Sequence, residues 1–171
     1  MIRIAREEVM EKSEHESVSV PDLEWVMTLK VDISVHENLG ECCEGWRSNY
    51  PITGGTFESL GFRGRVLPGG SDQYLERRDG VGELDARYSL LTDAGELINI
   101  HNTGRLLLDE EGRRLSAEGV WPLKQERYRC TCTPVFQVAN GPLSWLRDHV
   151  FIGHVSYPAE GQVHIACYRL A

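Results

Sequence analysis

The stretch from residue 51 to residue 72 constrains the fold of this chain more than any other part of it. Six glycines are interspersed there with apolar residues, and a seventh follows at Gly80. An interior glycine destabilises a helix by about 1 kcal/mol, whereas in a sheet it marks a bulge, a sharp bend or a close approach of two backbones. The stretch therefore predicts strands bent at Gly54, Gly55 and Gly64, and a sheet that closes on itself. The bends serve either curvature alone or a pocket mouth near Asp72.

Alternating hydrophobicity predicts strands in most of the remaining chain. Over residues 25–35 apolar side chains occupy every second position, which is typical of a strand with one buried and one wet face. Further strands are predicted at residues 73–77, 83–91, 96–102, 126–138, 150–157 and 162–170, between turns rich in Asp and Gly. We therefore predict an all-β fold, a single antiparallel β-barrel domain over residues 23–171.

Two segments fall outside this pattern. Residues 1–22 carry mixed charges and few large apolar side chains, and we expect them to form a short N-terminal extension. Residues 106–125 break the strand rhythm. We expect a turn at 109–112 and a short helix or lid at 115–121, a connection long enough to have a functional role.

Charge and cysteine content narrow the class of protein. A net charge of -8 argues against nucleic acid or an anionic membrane as a partner, because both attract clustered Lys and Arg. No run of apolar residues is long enough to span a bilayer, and no signal-peptide core precedes the strands. The five cysteines show no zinc-site spacing. We expect free thiols in a reducing cytoplasm.

Several short motifs occur in a fixed order along the chain: residues 53–57 (TGGTF), 64–72 (GRVLPGGSD), 84–88 (LDARY), 92–95 (TDAG), 102–104 (NTG), 133–136 (TPVF) and 145–146 (WL). Together they resemble the DUF3237 (UPF0311) family, and the resemblance covers the chain from about Leu23 onward. It implies a barrel similar to that of allene oxide cyclase, in a family whose members mostly lack an assigned activity. Among the motif residues, Thr53, Phe57, Phe136 and Trp145 are candidate substrate contacts.

The strand at residues 84–91 carries the first candidate catalytic group. Asp85 and Arg87 share one face of it, where they can pair or jointly bind a polar substrate atom. If that face lines the lumen, the pair forms a site, and if it faces water, the pair is an ordinary surface ion pair. The alternation alone favours the surface, and the resemblance gives the lumen equal weight because both positions lie inside a family motif. The proposed site requires both side chains to project into the lumen. Asp72 and Tyr88 are further catalytic candidates in the same motifs.

Neighbouring strands add a histidine and two polar candidates. His101 can act as a general acid or base because a histidine changes charge near neutral pH, although a lone histidine often only completes a hydrogen bond. Asn99 is a candidate substrate contact, and Arg129 either holds an anionic group or lies on the outer wall. Metal binding is rejected because no carboxylate or thiolate recurs at ligand spacing near the histidines. The chain also lacks phosphate-loop and dinucleotide motifs, so no cofactor is expected.

Three functions fit these features. In the first, the barrel encloses a small, largely apolar metabolite and catalyses its isomerisation or cyclisation without a cofactor. In the second, the same cavity binds or carries a ligand without turnover. In the third, side chains fill the lumen and the outer strand faces form a homo-oligomer, which we expect as the assembly state in any case.

Overall fold

The computed structural model describes residues 21–171, so the predicted N-terminal extension lies outside the described residues except for its last two positions. The all-β prediction is confirmed. No helix among the described residues is long and apolar enough to cross a bilayer. The elements, in chain order, are β1 (Leu23–Ile33), β2 (Glu37–Glu41), β3 (Gly45–Ser59), β4 (Arg63–Val66), β5 (Ser71–Arg77), β6 (Gly82–Thr92), β7 (Leu97–Leu108), α1 (Glu110–Ala117), β8 (Tyr128–Val138), α2 (Trp145–Asp148), β9 (Phe151–Ala159) and β10 (Gln162–Leu170).

The strands form a closed antiparallel barrel. Along the sheet β1 is followed by β10, β9, β8, β7 and β6. Between β6 and β3 lie two short strands, β4 at one end of the barrel and β5 at the other, and each of them pairs with both β6 and β3. The ring closes because β1 also pairs with β3, which gives eight strands around the barrel. Closure leaves each strand in the ring with one inward and one outward face.

The glycine-rich stretch makes this closure possible. Ile52 pairs with Ile33 while Gly54 pairs with the adjacent Asp32, so β3 carries one extra residue there. Such a bulge bends a strand and resets its alternation. At Gly55, φ is +130° and a Cβ atom would lie 2.1 Å from the carbonyl oxygen of Lys30. Curvature and close backbone approach therefore account for this glycine pair.

The barrel has a closed end that is filled with apolar side chains. This end lies where β6 ends, β7 begins and α2 packs against β8. Phe136 and Phe151 meet edge to face with centroids 5.0 Å apart, and Leu146 of α2 is 1% exposed. The other buried side chains at this end are Met27, Phe57, Leu90 and Ile98. The opposite end, where β7 ends and β8 begins, is called the open end below.

The connection after β7 differs from the prediction. β7 continues to Leu108, six residues beyond its expected end, and α1 begins at Glu110 rather than near residue 115. The segment expected to be a turn is the start of the helix: Asp109 is its N-cap and accepts a hydrogen bond from the Gly112 backbone nitrogen at 2.6 Å. An aspartate in this position satisfies a backbone donor of the first turn.

Replacing Gly55 by alanine should destabilise the barrel far more than the same change at Gly95. Gly95 has φ +91° with nothing within 4 Å of a built Cβ, so Gly95→Ala tests backbone strain alone, about 1 to 2 kcal/mol. Gly55→Ala adds a clash with the β1 backbone and should cost about 3 to 5 kcal/mol in total. Urea unfolding of both variants measures the difference. Equal losses would contradict the proposed role of close strand approach.

Candidate functional site

The alternation of β6 decides which predicted catalytic residues face the lumen. Its buried positions are Leu84, Ala86, Tyr88 and Leu90, while Asp85 is half-exposed and Arg87 exposed. The expectation that Asp85 and Arg87 project into the barrel is therefore wrong. The apolar set of the strand takes the interior because burying it removes more apolar surface from water.

Four other predicted residues also lie on the outer wall. The His101 Nε2 atom is 2.7 Å from Asp85 Oδ1. Asn99 accepts a hydrogen bond from the Ser89 hydroxyl at 2.8 Å, and the Thr53 hydroxyl donates to the Asp32 carbonyl at 3.2 Å. Arg129 is exposed. None of these side chains lines the lumen.

Three predicted substrate contacts belong to the closed end. Phe57 and Phe136 are buried in the apolar core. Trp145 packs against Phe151 with ring centroids 6.1 Å apart. These side chains hold the end of the barrel together, and their predicted role as ligand walls does not fit their positions.

Asp72 and Tyr88 are the predicted catalytic residues that do face the interior. Asp72 pairs with Tyr50 of β3 and with Ala86 of β6, which places it on the inner face of β5. One of its carboxylate oxygens accepts a hydrogen bond from the Asp85 backbone nitrogen at 2.8 Å. Burial raises the pKa of Asp72 to about 6, the Asp85 charge adds to this increase, and the backbone hydrogen bond partly offsets it.

Neutral groups surround this carboxyl. The side chains whose pKa values are raised, mainly by burial and in part by the charge of Asp72, are Tyr50, Tyr74, Tyr88, Tyr157, Cys130 and Cys132. Asp72, Tyr50, Tyr74 and Tyr157 are half-buried although they face inward. Solvent therefore reaches the open half of the lumen, and phenols surround the Asp72 carboxyl there.

Two buried polar atoms lie close to Asp72 in the sheet. Asp72 on β5 pairs with Ala86 on β6, and Ala86 pairs in turn with Asn102 on β7. Its Oδ1 atom and the Tyr88 hydroxyl have no hydrogen-bond partner among residues 21–171. A buried polar group without a partner costs about 1 to 3 kcal/mol. Such groups are uncommon in folded proteins and indicate a functional constraint.

Aromatic rings border the open end. Trp121 packs edge to face on Tyr157 with centroids 5.0 Å apart, and Tyr128 lies 5.5 Å from Tyr157. On the other side Tyr50 contacts Tyr74 at 6.0 Å. Trp121 is 40% exposed, so this ring forms an accessible rim. The sequence analysis missed these residues, although the period-two spacing of Asp72 and Tyr74 places both on one face.

The buried thiols are poor nucleophiles. All five cysteines are free, and Cys130, Cys132 and Cys167 are buried. Burial raises the pKa of Cys130 to about 11 and that of Cys132 to about 12, so both remain protonated at neutral pH. Within residues 21–171, no group of three or more His, Cys, Asp or Glu side chains could hold a metal ion.

Two clefts lie on the outer surface. The first, about 380 Å³, lies over β5, β6 and β7 and includes Asp85, Glu83 and Arg105. The second, about 230 Å³, lies over β1, β3 and β4. Neither contains Asp72. We base the candidate site on the inward carboxyl rather than on cleft size, because the desolvated acid is the group with altered chemistry.

Fold and site together define a closed antiparallel barrel with one filled end and an inward, half-buried acid in its open half. Residues 21–170 match the family model described as "Protein of unknown function (DUF3237)". The chain belongs to this family, and the predicted resemblance is confirmed. A UPF0311 protein of Rhodopseudomonas palustris is 30% identical over 142 residues, 82% of this chain and 92% of that protein.

Solved structures share the architecture. A conserved protein of unknown function from R. palustris superposes with a TM-score of 0.82 at 26% identity, covering 90% of this chain and 99% of that one. A beta-barrel like protein from Acinetobacter baumannii gives 0.77 at 30% identity, covering 90% and 98%. An enzyme from Penicillium herquei gives 0.65 at 16% identity, covering 90% and 96%. At that identity the last comparison shows the fold alone.

Tyr88→Phe should leave stability unchanged or raise it by about 1 kcal/mol, because it removes a buried hydroxyl that has no partner. Tyr128→Phe is the matched control. The Tyr128 hydroxyl donates to Gln125 at 2.8 Å and accepts from the Tyr157 backbone nitrogen at 3.0 Å, so its loss should cost about 1 to 3 kcal/mol. Denaturant midpoints compare the two. A Tyr88→Phe variant as unstable as the control would mean that the Tyr88 hydroxyl is bonded.

Asp72→Asn should stabilise the protein at neutral pH and have little effect near pH 4. The folded pKa of Asp72, about 6, exceeds the ordinary 3.8, so the folded state holds this proton more tightly. As pH rises from about 4 to about 6, the unfolded chain ionises first and stability falls by about 2 to 3 kcal/mol. The difference in unfolding free energy between variant and wild type should grow by that amount. A difference independent of pH would show that Asp72 titrates normally.

Proposed function

We propose that the protein binds a small, largely apolar metabolite in the open half of its barrel and catalyses a cofactor-independent isomerisation or cyclisation. Asp72 is the proposed proton shuttle. The observation that carries the proposal is the position of this carboxyl, which faces inward between Tyr50 and Ala86 and is partly buried there, so that its pKa is raised to about 6. Catalytic acids and bases work best when their pKa lies near the working pH.

The proposed step conserves the atoms of the substrate. Near neutral pH the Asp72 carboxylate takes a proton from a carbon or hydroxyl of the bound molecule and returns it to a different atom of the same molecule. In a cyclisation, the deprotonated hydroxyl oxygen adds to a carbon–carbon double bond conjugated with a carbonyl in the same molecule. The π bond breaks as the C–O bond forms, and the resulting enolate carbon takes the proton back from Asp72. Substrate and product therefore have equal mass, and no oxidant or second substrate is consumed.

Neutral phenols would stabilise the charge that develops on the substrate. Burial raises the pKa of Tyr74 and Tyr50, so their hydroxyls remain protonated donors for a carbonyl or enolate oxygen. Hydrogen-bond donors fixed in a site of low dielectric are worth more to a transition state than donors in water. The apolar side chains of the closed end support this arrangement, because they keep bulk water from entering the barrel through that end.

A binding or carrier protein without turnover is the second candidate. It is favoured by the neutral lining around Asp72, which suits storage of an uncharged ligand as well as its conversion. The accessible aromatic rim around Trp121 would serve either function by contacting an apolar ligand as it enters. The Penicillium herquei enzyme shares the barrel, but a shared fold does not imply a shared activity.

An experiment based on equal mass tests the proposal without a known substrate. Purified protein is incubated with a small-molecule extract, and mass spectrometry with chromatography is used to find pairs of compounds of one mass that interconvert. Wild-type protein should deplete one member and enrich the other. Asp72→Asn should slow this by at least about 100-fold, the usual contribution of a general acid or base.

Asp93→Asn is the matched control, since Asp93 is an exposed carboxylate paired with Arg63 at the closed end. It should retain wild-type activity. Compounds that bind wild-type protein and are recovered unchanged would favour the carrier function. Interconversion that survives in Asp72→Asn would contradict the role of this carboxyl.

A further inference from the structure

A chain of two hydrogen bonds connects the outer wall of the barrel to Asp72. On the outside, His101 Nε2 lies 2.7 Å from Asp85 Oδ1. On the inside, the backbone nitrogen of the same Asp85 donates to Asp72 Oδ1 at 2.8 Å. The backbone of Asp85 thus contacts the proposed catalytic carboxyl inside the barrel, while its side chain contacts His101 on the solvent-facing wall.

We propose that Asp85 and His101 are positioning residues that act across the barrel wall, fixing the peptide that holds Asp72 and setting the charge of that carboxyl from outside. This inference rests on the proposed function only for the role of Asp72. Neither residue touches a ligand in the lumen, so neither is catalytic. Both were predicted to be catalytic from the sequence, and their outward position assigns them this different role.

The charges around the pair allow such an effect. The groups that face the pair on the outer wall are Glu83 and Arg87 on β6, Arg105 on β7, Arg47 on β3, and the uncharged Gln73, Thr133 and Val135. Glu83 is already paired with Arg105 at 3.3 Å and with Arg77 at 3.2 Å. Arg87 is directly opposite His101 in the sheet.

Within residues 21–171, mostly uncharged side chains face Asp72 across the lumen. Those from β3, β5, β6, β7, β8 and β9 are Ser48, Tyr50, Tyr74, Tyr88, Asn102, Cys130, Cys132 and Tyr157. The titratable groups beyond them are Glu76, exposed further along β5, and His36, an exposed residue whose ring centroid lies 5.4 Å from that of Tyr50. Asp85 is the carboxylate whose charge raises the pKa of Asp72. The outer cleft of about 380 Å³ keeps Asp85 in contact with solvent.

The direction of each effect follows from charge. An ionised Asp85 disfavours ionisation of Asp72, and a protonated His101 next to Asp85 weakens that repulsion. Loss of the Asp85 charge and loss of the His101 charge should therefore shift the titration of Asp72 in opposite directions.

Carbon-13 NMR of the aspartate carboxyls in the ligand-free protein tests this, with the Asp72 signal assigned by its loss in Asp72→Asn. Asp85→Asn keeps the backbone donor and should lower the Asp72 midpoint by on the order of half a pH unit. His101→Gln should raise it by a similar amount. His154→Gln, which changes an exposed outer-wall histidine on β9, should leave the midpoint unchanged.

Opposite shifts would support the inference. Unchanged midpoints, or shifts of the same sign in Asp85→Asn and His101→Gln, would overturn it. A general loosening of the wall would not depend on the sign of the charge that is removed, so it would not give opposite shifts. If one variant fails to fold, the other still decides. A lowered Asp72 midpoint in Asp85→Asn alone, or a raised midpoint in His101→Gln alone, supports the inference, and an unchanged midpoint in the variant that folds overturns it.

The two proposals can fail separately. The titrations require no ligand, so a failed search for interconverting compounds would contradict the proposed function and leave the coupling across the wall intact. Equal Asp72 midpoints in all variants would contradict the coupling and leave the function to be tested by mass spectrometry.

Discussion

The pairing of β1 with both β10 and β3 is the constraint on which the rest of the structure depends. It converts a twisted antiparallel sheet into a closed ring of strands. The strands in the ring have no free edge, so each of their side chains points either into the barrel or out of it. The bulge near Gly54 is part of the same constraint. It inserts one residue into β3, so that Ile52 before the bulge and Phe57 after it both point into the core.

Closure also produces an interior with two unlike halves. Large apolar side chains fill the closed end, while tyrosines and the inward carboxyl of Asp72 occupy the open end. The open half contains groups that lower the stability of the protein, because a partly desolvated acid and two unpartnered polar atoms are each unfavourable. Natural sequences break local rules of this kind mainly at functional sites. This asymmetry is why we place the site at Asp72 rather than in the outer clefts.

Much of the architecture could be predicted from the sequence. Period-two hydrophobicity located most strands, and glycine clusters indicated a closed sheet. The family motifs also contain Asp72 and Tyr88, which face the interior. The orientation of Asp85 and Arg87 was predicted wrongly because motif membership outweighed the simpler pattern, in which Leu84, Ala86 and Tyr88 form the buried face.

Other features depend on contacts distant in sequence. The aromatic rim joins Trp121 to tyrosines from two strands, and no local pattern predicts that proximity. The hydrogen bond between the Asp85 backbone and Asp72 depends on the register of β5 against β6. The α1 start was missed for a local reason, since Asp109 followed by two acids was interpreted as a turn rather than as a helix cap.

The central claim is that Asp72 is a desolvated acid inside the barrel. Infrared difference spectroscopy of wild-type protein against Asp72→Asn tests it most directly, because a protonated carboxyl has a carbonyl stretch that a carboxylate lacks. The account predicts a protonated-carboxyl band that disappears with a midpoint near pH 6 and is missing from the variant. A band that is already lost near the ordinary aspartate value of 3.8 would contradict the account.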